Sequence, residues 1–138
     1  MGRTDAGNMD RRVRTLGLNH VNLVVADVDR SRAFYEQALG FEYVRVDGGI
    51  TFLTTPGTND LLALQAAGGE LDRLSGRERS PGDMGGVDHI GFAVDPDAVD
   101  PLIDAVEQSG GALLMSVGEG AQRTVFVTDP DGYVLQLG

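Results

Sequence analysis

A short phrase that carries one histidine occurs twice in the chain and constrains its fold more than any other feature. It reads NHVNLVV from residue 19 and DHIGFAV from residue 88, and it places the only two histidines, His20 and His89, at equivalent positions. In both copies apolar residues alternate with histidine and with small or polar residues, which is the pattern of a β-strand with one buried face. Each histidine is therefore predicted to lie on the face turned away from the helix-packing core.

The similarity between the two parts continues beyond this phrase. Each copy is followed by a predicted helix and then by three predicted strands, at 41–46, 50–54 and 61–66 in the first part and at 112–117, 122–128 and 133–137 in the second. We predict an α+β fold in which paired βαβββ units form a curved, mixed, eight-stranded sheet with the helices outside. One unit alone is too small to bury its apolar faces well, which explains the pairing.

Helix ends and domain boundaries follow from local signals. Asp29 is predicted to cap the first helix and Gly40 to end it, and Asp100 before a proline is predicted to cap the second, with a start near Asp97 as the alternative. Asp129 opens a predicted tight turn. The expected organisation is a flexible tail (1–15) and one domain (16–138), made of a unit (16–66), a Gly-rich linker (67–86) that could also cover a site, and a second unit (87–138).

Composition excludes several classes of function. The net charge of −10 argues against a nucleic-acid partner and would suit a cationic small molecule. All 11 basic residues are arginine, so lysine Schiff-base chemistry is excluded, and the lack of cysteine excludes thiolate chemistry. No apolar run is long enough to span a membrane, and no signal-peptide core is visible, so we expect a cytoplasmic protein without a membrane partner.

The repeat also predicts a site. On the face opposite the core, each unit presents the histidine of its first strand and one residue near the end of its last strand: His20 with Ala63, and His89 with Gln136. If the sheet curves, these residues converge on its concave side. Two imidazoles and one amide oxygen would then bind a divalent metal and leave positions open for water and substrate, so His20, His89 and Gln136 are the predicted metal ligands.

Further residues are predicted to line a substrate pocket beside the metal. Asn22 shares the face of His20, Gln65 shares the face of Ala63, and Gly91 is small enough to leave room for a bound molecule. Arg123 alternates with its neighbour on a predicted strand and could contact an anionic or polar ligand. The predicted pocket therefore comprises Asn22, Ala63, Gln65, Gly91 and Arg123.

Three segments resemble the vicinal oxygen chelate superfamily, which includes glyoxalase I, extradiol dioxygenases and bleomycin-resistance proteins. They are LNHVNLVVADVDRSRAFYEQALGF, DHIGFAV and TVFVTDPDGYVLQL, and the resemblance covers residues 16–138. It implies paired βαβββ units, with metal positions at His20, Ala63, His89 and Gln136. The metal would be Fe, Mn, Ni or Zn, and the protein would be a homodimer that acts on a small molecule.

Two positions depart from that family pattern. Ala63 has no donor atom, and Gln136 stands where the family usually has glutamate, so it lacks the charge of a ligand and cannot act as a general base. The leading hypothesis is a metal-dependent lyase, isomerase or dioxygenase for a molecule with vicinal oxygens, the metal serving as Lewis acid or oxygen activator. The alternative is a metal-free, antibiotic-binding protein of the bleomycin-resistance type. A third hypothesis is a structural partner of another protein with vestigial histidines.

Overall fold

The computed structural model describes Arg14 and residues 18–138, so the predicted tail, except for Arg14, lies outside the described residues. Two series of elements follow each other, with a short helix between them. The first series is β1 (Val21–Val24), α1 (Val28–Leu39), β2 (Glu42–Asp47), β3 (Ile50–Thr54) and β4 (Leu62–Gln65). The connecting helix is α2 (Glu70–Ser75). The second series is β5 (Ile90–Phe92), a 3₁₀ turn (Pro96–Ala98), α3 (Val99–Gln108), β6 (Ala112–Val117), a 3₁₀ turn (Gly120–Gln122), β7 (Thr124–Thr128) and β8 (Val134–Leu137).

Each series builds its own four-stranded mixed sheet. The strand orders are β1-β4-β3-β2 and β5-β8-β7-β6, with the first pair of each sheet parallel and the other pairs antiparallel. The predicted α+β fold of paired βαβββ units is confirmed. The eight strands are hydrogen-bonded as two sheets of four, because β1 and β5 each pair with the last strand of their own unit. We call these sheets the first and the second sheet.

Both units contribute to one hydrophobic core. Leu23 and Val25 extend from the first unit into this core, and Leu135 and Leu137 enter it from the second, all at most 5% exposed. In the sequence these residues alternate with the positions predicted to face away from the core, so the predicted orientation of the strands is confirmed. Burial of a leucine of this kind stabilises the fold by roughly 2–3 kcal/mol, and neither unit could complete the core alone.

The helix starts differ from those predicted. Asp27, not Asp29, caps α1, because its backbone is extended and its carboxylate accepts the N–H of Arg30 at 3.1 Å. Asp29 lies in the first turn, where its charge favours the helix dipole. The prediction of Asp100 as a cap is also wrong: α3 starts at Val99 directly after a 3₁₀ turn and has no side-chain cap. The end of α1 at Gly40, which has a left-handed φ of 77°, agrees with the sequence.

Both outer strands carry a β-bulge at equivalent positions. In β2 the register shifts between Tyr43 and Arg45, and in β6 it shifts between Leu113 and Met115. A bulge inserts one residue and therefore turns the following side chain to the other face of the sheet. Tyr43 lies opposite the buried Leu53, whereas the bulge brings Arg45 to the face opposite the core.

Two acidic side chains of the last turn join the second unit to α1. Asp131 accepts hydrogen bonds from the N–H of Ala26 at 3.1 Å, from Arg30 Nη2 at 2.8 Å and from Ser31 Oγ at 3.1 Å. Asp129 accepts from the hydroxyl of Tyr35 at 2.7 Å. We call these contacts the Asp129–Asp131 clamp. They show that the predicted turn does more than reverse the chain: it fixes the first helix against the second unit.

Burial raises the pKa of two side chains in the clamp, Asp129 and Tyr35. Burial raises the pKa of Asp129 above its usual value, although the hydrogen bonds from Tyr35 and from backbone N–H groups oppose this shift. Burial, together with the charge of Asp129, raises the pKa of Tyr35 well above its usual value. The tyrosine therefore stays protonated and serves as a permanent donor to the carboxylate.

The stretch 67–86, predicted as a linker, contains the helix Glu70–Ser75. The buried Asp72 in this helix accepts a hydrogen bond from the N–H of Gly68 at 3.2 Å and an ion-paired hydrogen bond from Arg77 at 2.9 Å.

Within the described residues, no helix has the length and apolarity needed to cross a membrane.

Candidate functional site

The two sheets present matching rows of side chains on the face opposite the core, which we call the histidine face. Neighbouring strands of the first sheet pair in register to give one row: Asn22, Ala63, Phe52 and Arg45. The same register in the second sheet gives the other row: Gly91, Gln136, Phe126 and Met115. We call these the first row and the second row. The histidines precede β1 and β5 and lie at the ends of these faces.

Each histidine contacts the phenylalanine of its own row. The ring of His20 meets Phe52 edge-on at 5.9 Å between centroids, and the ring of His89 meets Phe126 edge-on at 5.2 Å. Such contacts restrict the orientation of an otherwise mobile imidazole. Sequence reasoning missed both phenylalanines. The sequence did contain a signal for them. Phe52 and Phe126 are 74 positions apart, and the same offset separates Pro56 from Pro130, which follow the strands β3 and β7.

The second restraint on each imidazole is a hydrogen bond at Nδ1. His20 Nδ1 lies 2.8 Å from Asn19 Oδ1, and His89 Nδ1 lies 2.7 Å from Asp88 Oδ2. An oxygen acceptor at Nδ1 favours the tautomer with the proton there, which leaves the lone pair of Nε2 available to bind a metal or to accept a hydrogen bond.

The predicted pocket residues of the first sheet are brought together. Asn22 Nδ2 donates to Gln65 Oε1 at 2.9 Å, which fixes both amides. Ala63 is the register partner of Asn22, and it is fully buried, so it forms part of the floor and offers no open surface. Gln65 is therefore engaged with Asn22 in this arrangement.

The predicted residues of the second sheet fall into two groups. Gln136 and Gly91 are direct register partners on the same face as Phe126. Arg123 lies apart from them: it forms an ion pair with Asp100 of α3 and donates to Ser116 Oγ at 3.0 Å. Its guanidinium therefore connects β6 with α3.

The two histidines line different cavities. His20 lines a cavity of about 180 Å³ together with Gly91 of the other unit. His89 lines a cavity of about 460 Å³, whose wall includes Arg79 and Asp83 from the segment after α2. Within residues 18–138, no three histidine or acidic side chains come close enough together to hold a metal ion. In one chain the two histidines therefore do not share a cavity.

The sequence is similar to known proteins over most of its length. The profile of the Glyoxalase/Bleomycin resistance protein/Dioxygenase superfamily matches residues 17–137. A probable lactoylglutathione lyase from Vibrio parahaemolyticus is 27% identical over 125 residues, which are 86% of each chain.

Solved structures show the same fold at lower identity. A glyoxalase-related enzyme from Fulvimarina pelagi superposes with a TM-score of 0.73 at 21% identity, covering 89% of this chain and 87% of the other. A mutant of the fosfomycin resistance protein FosX from Listeria monocytogenes, complexed with Mn(II) and 1S,2S-dihydroxypropylphosphonic acid, gives 0.66 at 19% identity and covers 90% of both chains. From the profile match and the paired βαβββ units together, we conclude that the chain belongs to the glyoxalase/bleomycin resistance protein/dioxygenase superfamily.

Proposed function

We propose that the protein is a metal-dependent enzyme that acts on a small molecule with two adjacent oxygen atoms. The observation that carries this proposal is the pair of histidines, which occupy equivalent places in the two units and are each held at Nδ1 by a neighbouring oxygen. A histidine held in this way directs Nε2 at a ligand. Two such side chains in a protein with no other histidine favour a shared role over two unrelated ones.

The donor set fits a divalent metal. His20 and His89 supply imidazole nitrogens, and Gln136, half-buried on the same face as Phe126, supplies an amide oxygen. This combination suits Mn, Fe, Ni or Zn and leaves coordination positions for two substrate oxygens. When bound, the metal would supply Lewis-acid stabilisation of a developing negative charge or activation of oxygen. Gln136 would hold the metal without taking up a proton, because an amide does not titrate near neutrality.

The complete site is proposed to form between two copies of the chain. His20 and His89 line separate cavities of one chain, so a metal bound by both histidines would require a second copy to bring them together. Both outer strands are exposed along their whole length, and they carry apolar side chains such as Val46 (56% exposed) and Leu114 (55% exposed). Exposed apolar residues of this kind are typical of a surface that is covered on assembly. We therefore propose a homodimer in which one chain provides His20 and the other His89.

Two similarities support the chemistry. The Vibrio relative is named a probable lactoylglutathione lyase, and the FosX structure contains Mn(II) together with a phosphonic acid that carries two hydroxyl groups. The proposal transfers only the common part, a metal-assisted reaction of a small oxygen-rich molecule. The absence of a carboxylate at Ala63 and Gln136 separates this chain from a reaction that needs either position as a base.

The test is Mn²⁺ binding measured by calorimetry. His20→Ala and His89→Ala should each weaken binding by at least about tenfold, since each removes one of few ligands. Asp97→Asn, which removes an exposed acid in the 3₁₀ turn before α3, is the matched control and should bind as the wild type does. Unchanged binding in both histidine variants would overturn the proposal.

Complementation between variants tests where the site forms. His20→Ala and His89→Ala chains are co-expressed and the mixed dimers isolated. If each site takes one histidine from each chain, one of the two sites in a mixed dimer keeps both histidines, and strong Mn²⁺ binding returns at half the wild-type stoichiometry. No recovery in mixed dimers would place both histidines of a site in one chain.

A second function is favoured by the missing carboxylates at Ala63 and Gln136. A metal-free protein of the bleomycin-resistance type would bind a cationic drug through its acidic surface, to which the net charge of −10 contributes. Its melting temperature would not change with EDTA, whereas a metal that binds only the folded state would raise it. Drug binding that survives both EDTA and the loss of both histidines would support this second function.

A further inference from the structure

We infer that Arg45 binds the anionic group of the substrate, so that the molecule accepted by this site is an organic acid with two adjacent oxygens. The requirement for two adjacent oxygens rests on the proposed function, and the requirement for an anionic group is new. It starts from the first row, in which Arg45, Phe52 and Ala63 stand side by side on the histidine face. Nothing in the core requires a cation at this place.

The bulge in β2 directs Arg45 to the site. Without the register shift, Arg45 would share the face of Tyr43, which lies opposite the buried Leu53. With the shift, Arg45 pairs with Phe52, whose ring touches His20. Bulges often re-aim a side chain next to a functional site. The local backbone therefore places a guanidinium one aromatic ring away from a proposed metal ligand.

The guanidinium is held in place but has no anionic partner. Its Cζ atom lies 4.4 Å from the centroid of the Phe52 ring, a cation–π contact that holds the group over that ring. Asp47 lies two residues on, yet no ion pair within 4.0 Å joins Arg45 to an acid among the described residues. Six other arginines do form such pairs: Arg30, Arg32, Arg73, Arg77, Arg79 and Arg123. The fork of Arg45 thus keeps its donors available for a carboxylate or a phosphonate.

The second row shows that this cation is particular to the first unit. The equivalent of Arg45 is Met115, which also follows a bulge, pairs with the phenylalanine of its row and is 50% exposed. One end of the site is therefore cationic and the other is apolar. This asymmetry selects a ligand with an anionic end at Arg45 and an apolar end at Met115.

Electrostatics limits the effect to short range. The net charge of −10 repels anions at a distance, so only direct contact with the guanidinium can favour them. An acid should therefore gain affinity from Arg45 without a gain in association rate. This opposes the expectation from composition alone, which favours a cationic ligand.

The experiment uses three probes with the same pair of adjacent oxygens: protocatechuate (anionic), protocatechuamide (neutral) and dopamine (cationic). Binding to Mn²⁺-loaded protein is measured by calorimetry, and again in EDTA. Arg45→Gln should weaken protocatechuate about tenfold, through loss of a charge-assisted contact, and change the other two by less than about twofold. Arg45→Lys should lie between, because it keeps the charge but loses the planar fork.

Arg32→Gln is the matched control. Arg32 also stacks on an aromatic ring of β2, with Cζ 4.3 Å from the centroid of Tyr43, but it lies on α1 at the other face. The Arg32→Gln variant should leave the ratio of protocatechuate affinity to protocatechuamide affinity unchanged.

The possible outcomes separate the inference from the proposed function. If all three probes depend on the histidines but Arg45→Gln affects them equally or not at all, the inference is wrong and the metal site stands. If the histidine variants leave probe binding unchanged while Arg45→Gln weakens protocatechuate alone, in EDTA as well, the metal site is wrong and Arg45 is an anion-binding residue. Failure of every probe to bind overturns the inference.

Discussion

Across the first sheet the histidine face runs from Asn22 to Arg45, whereas across the second sheet the same positions run from Gly91 to Met115. The strand order, register and bulge positions are alike in both sheets, and so is the edge-on contact between histidine and phenylalanine. On these sheets the two rows differ in the side chains that face away from the core. The two rows thus end in different side chains, the cationic Arg45 in the first and the apolar Met115 in the second.

The loops before the last strands show a second difference. In the first unit Asp60 accepts from the N–H of Thr55 at 2.7 Å and from Thr54 Oγ1 at 3.0 Å, so its contacts stay within its own loop. In the second unit Asp129 and Asp131 reach α1, about a hundred residues earlier in the chain. The clamp is therefore the asymmetric part of the junction between the units.

The largest expected effect is a difference in stability between variants of these two loops. Asp131→Ala should lower the free energy of unfolding by about 3 kcal/mol, because it removes a buried carboxylate that satisfies Arg30, Ser31 and a backbone N–H. Asp60→Ala should cost about 1 kcal/mol, since water replaces its exposed contacts. Urea denaturation measures both midpoints. Equal losses would remove the distinction between a local loop and a clamp.

Tyr35→Phe should have the next largest effect. It removes the hydroxyl donor of the buried Asp129 and should lower the free energy of unfolding by about 2 kcal/mol, as for other hydrogen bonds to charged groups. Tyr43→Phe is the control in the exposed β2 and should change stability by less than about 0.5 kcal/mol. A loss of similar size in the control would show that the clamp contributes little.

Introducing a carboxylate into one sheet or the other should distinguish the two halves in metal binding. Gln136→Glu should strengthen Mn²⁺ binding about tenfold, because a charged oxygen replaces a neutral one. Gln65→Glu makes the same change in the first sheet, where Asn22 engages the side chain, and should alter affinity by less than about twofold. If Gln65→Glu proves the stronger, the first sheet provides the oxygen ligand.

The smallest effect is in the pH dependence of stability. Burial raises the pKa of Asp129, so the folded state takes up its proton first and wild type should gain stability relative to Asp129→Asn as the pH falls from neutral. Burial opposes ionisation of Asp60 as well, but hydrogen bonds from Thr55, Thr58 and Thr54 outweigh it and lower the pKa. Wild type should therefore lose stability relative to Asp60→Asn as the pH falls. Slopes of the same sign in urea titrations would contradict this.

Most of the candidate site was accessible from the sequence, because strand alternation is a local property with a period of two residues. Alternation assigned His20, His89 and Gln136 to the face opposite the core, and the structure places the flanking residues accordingly. Arg123 was different: its neighbours do not reveal the ion pair with Asp100 of α3, which depends on how helix and sheet pack. The histidine–phenylalanine contacts were missed because they join residues on different strands.

The sequence by itself determined the duplication, the buried faces and the fold class, since each follows from spacing along the chain. Only the tertiary structure decided where Arg45 and Met115 point, because a bulge depends on the partner strand and reverses simple alternation. It also decided that Asp129 and Asp131 hold the first helix. Their partners lie in the other unit, and a contact between distant segments forms only when both are folded against the shared core.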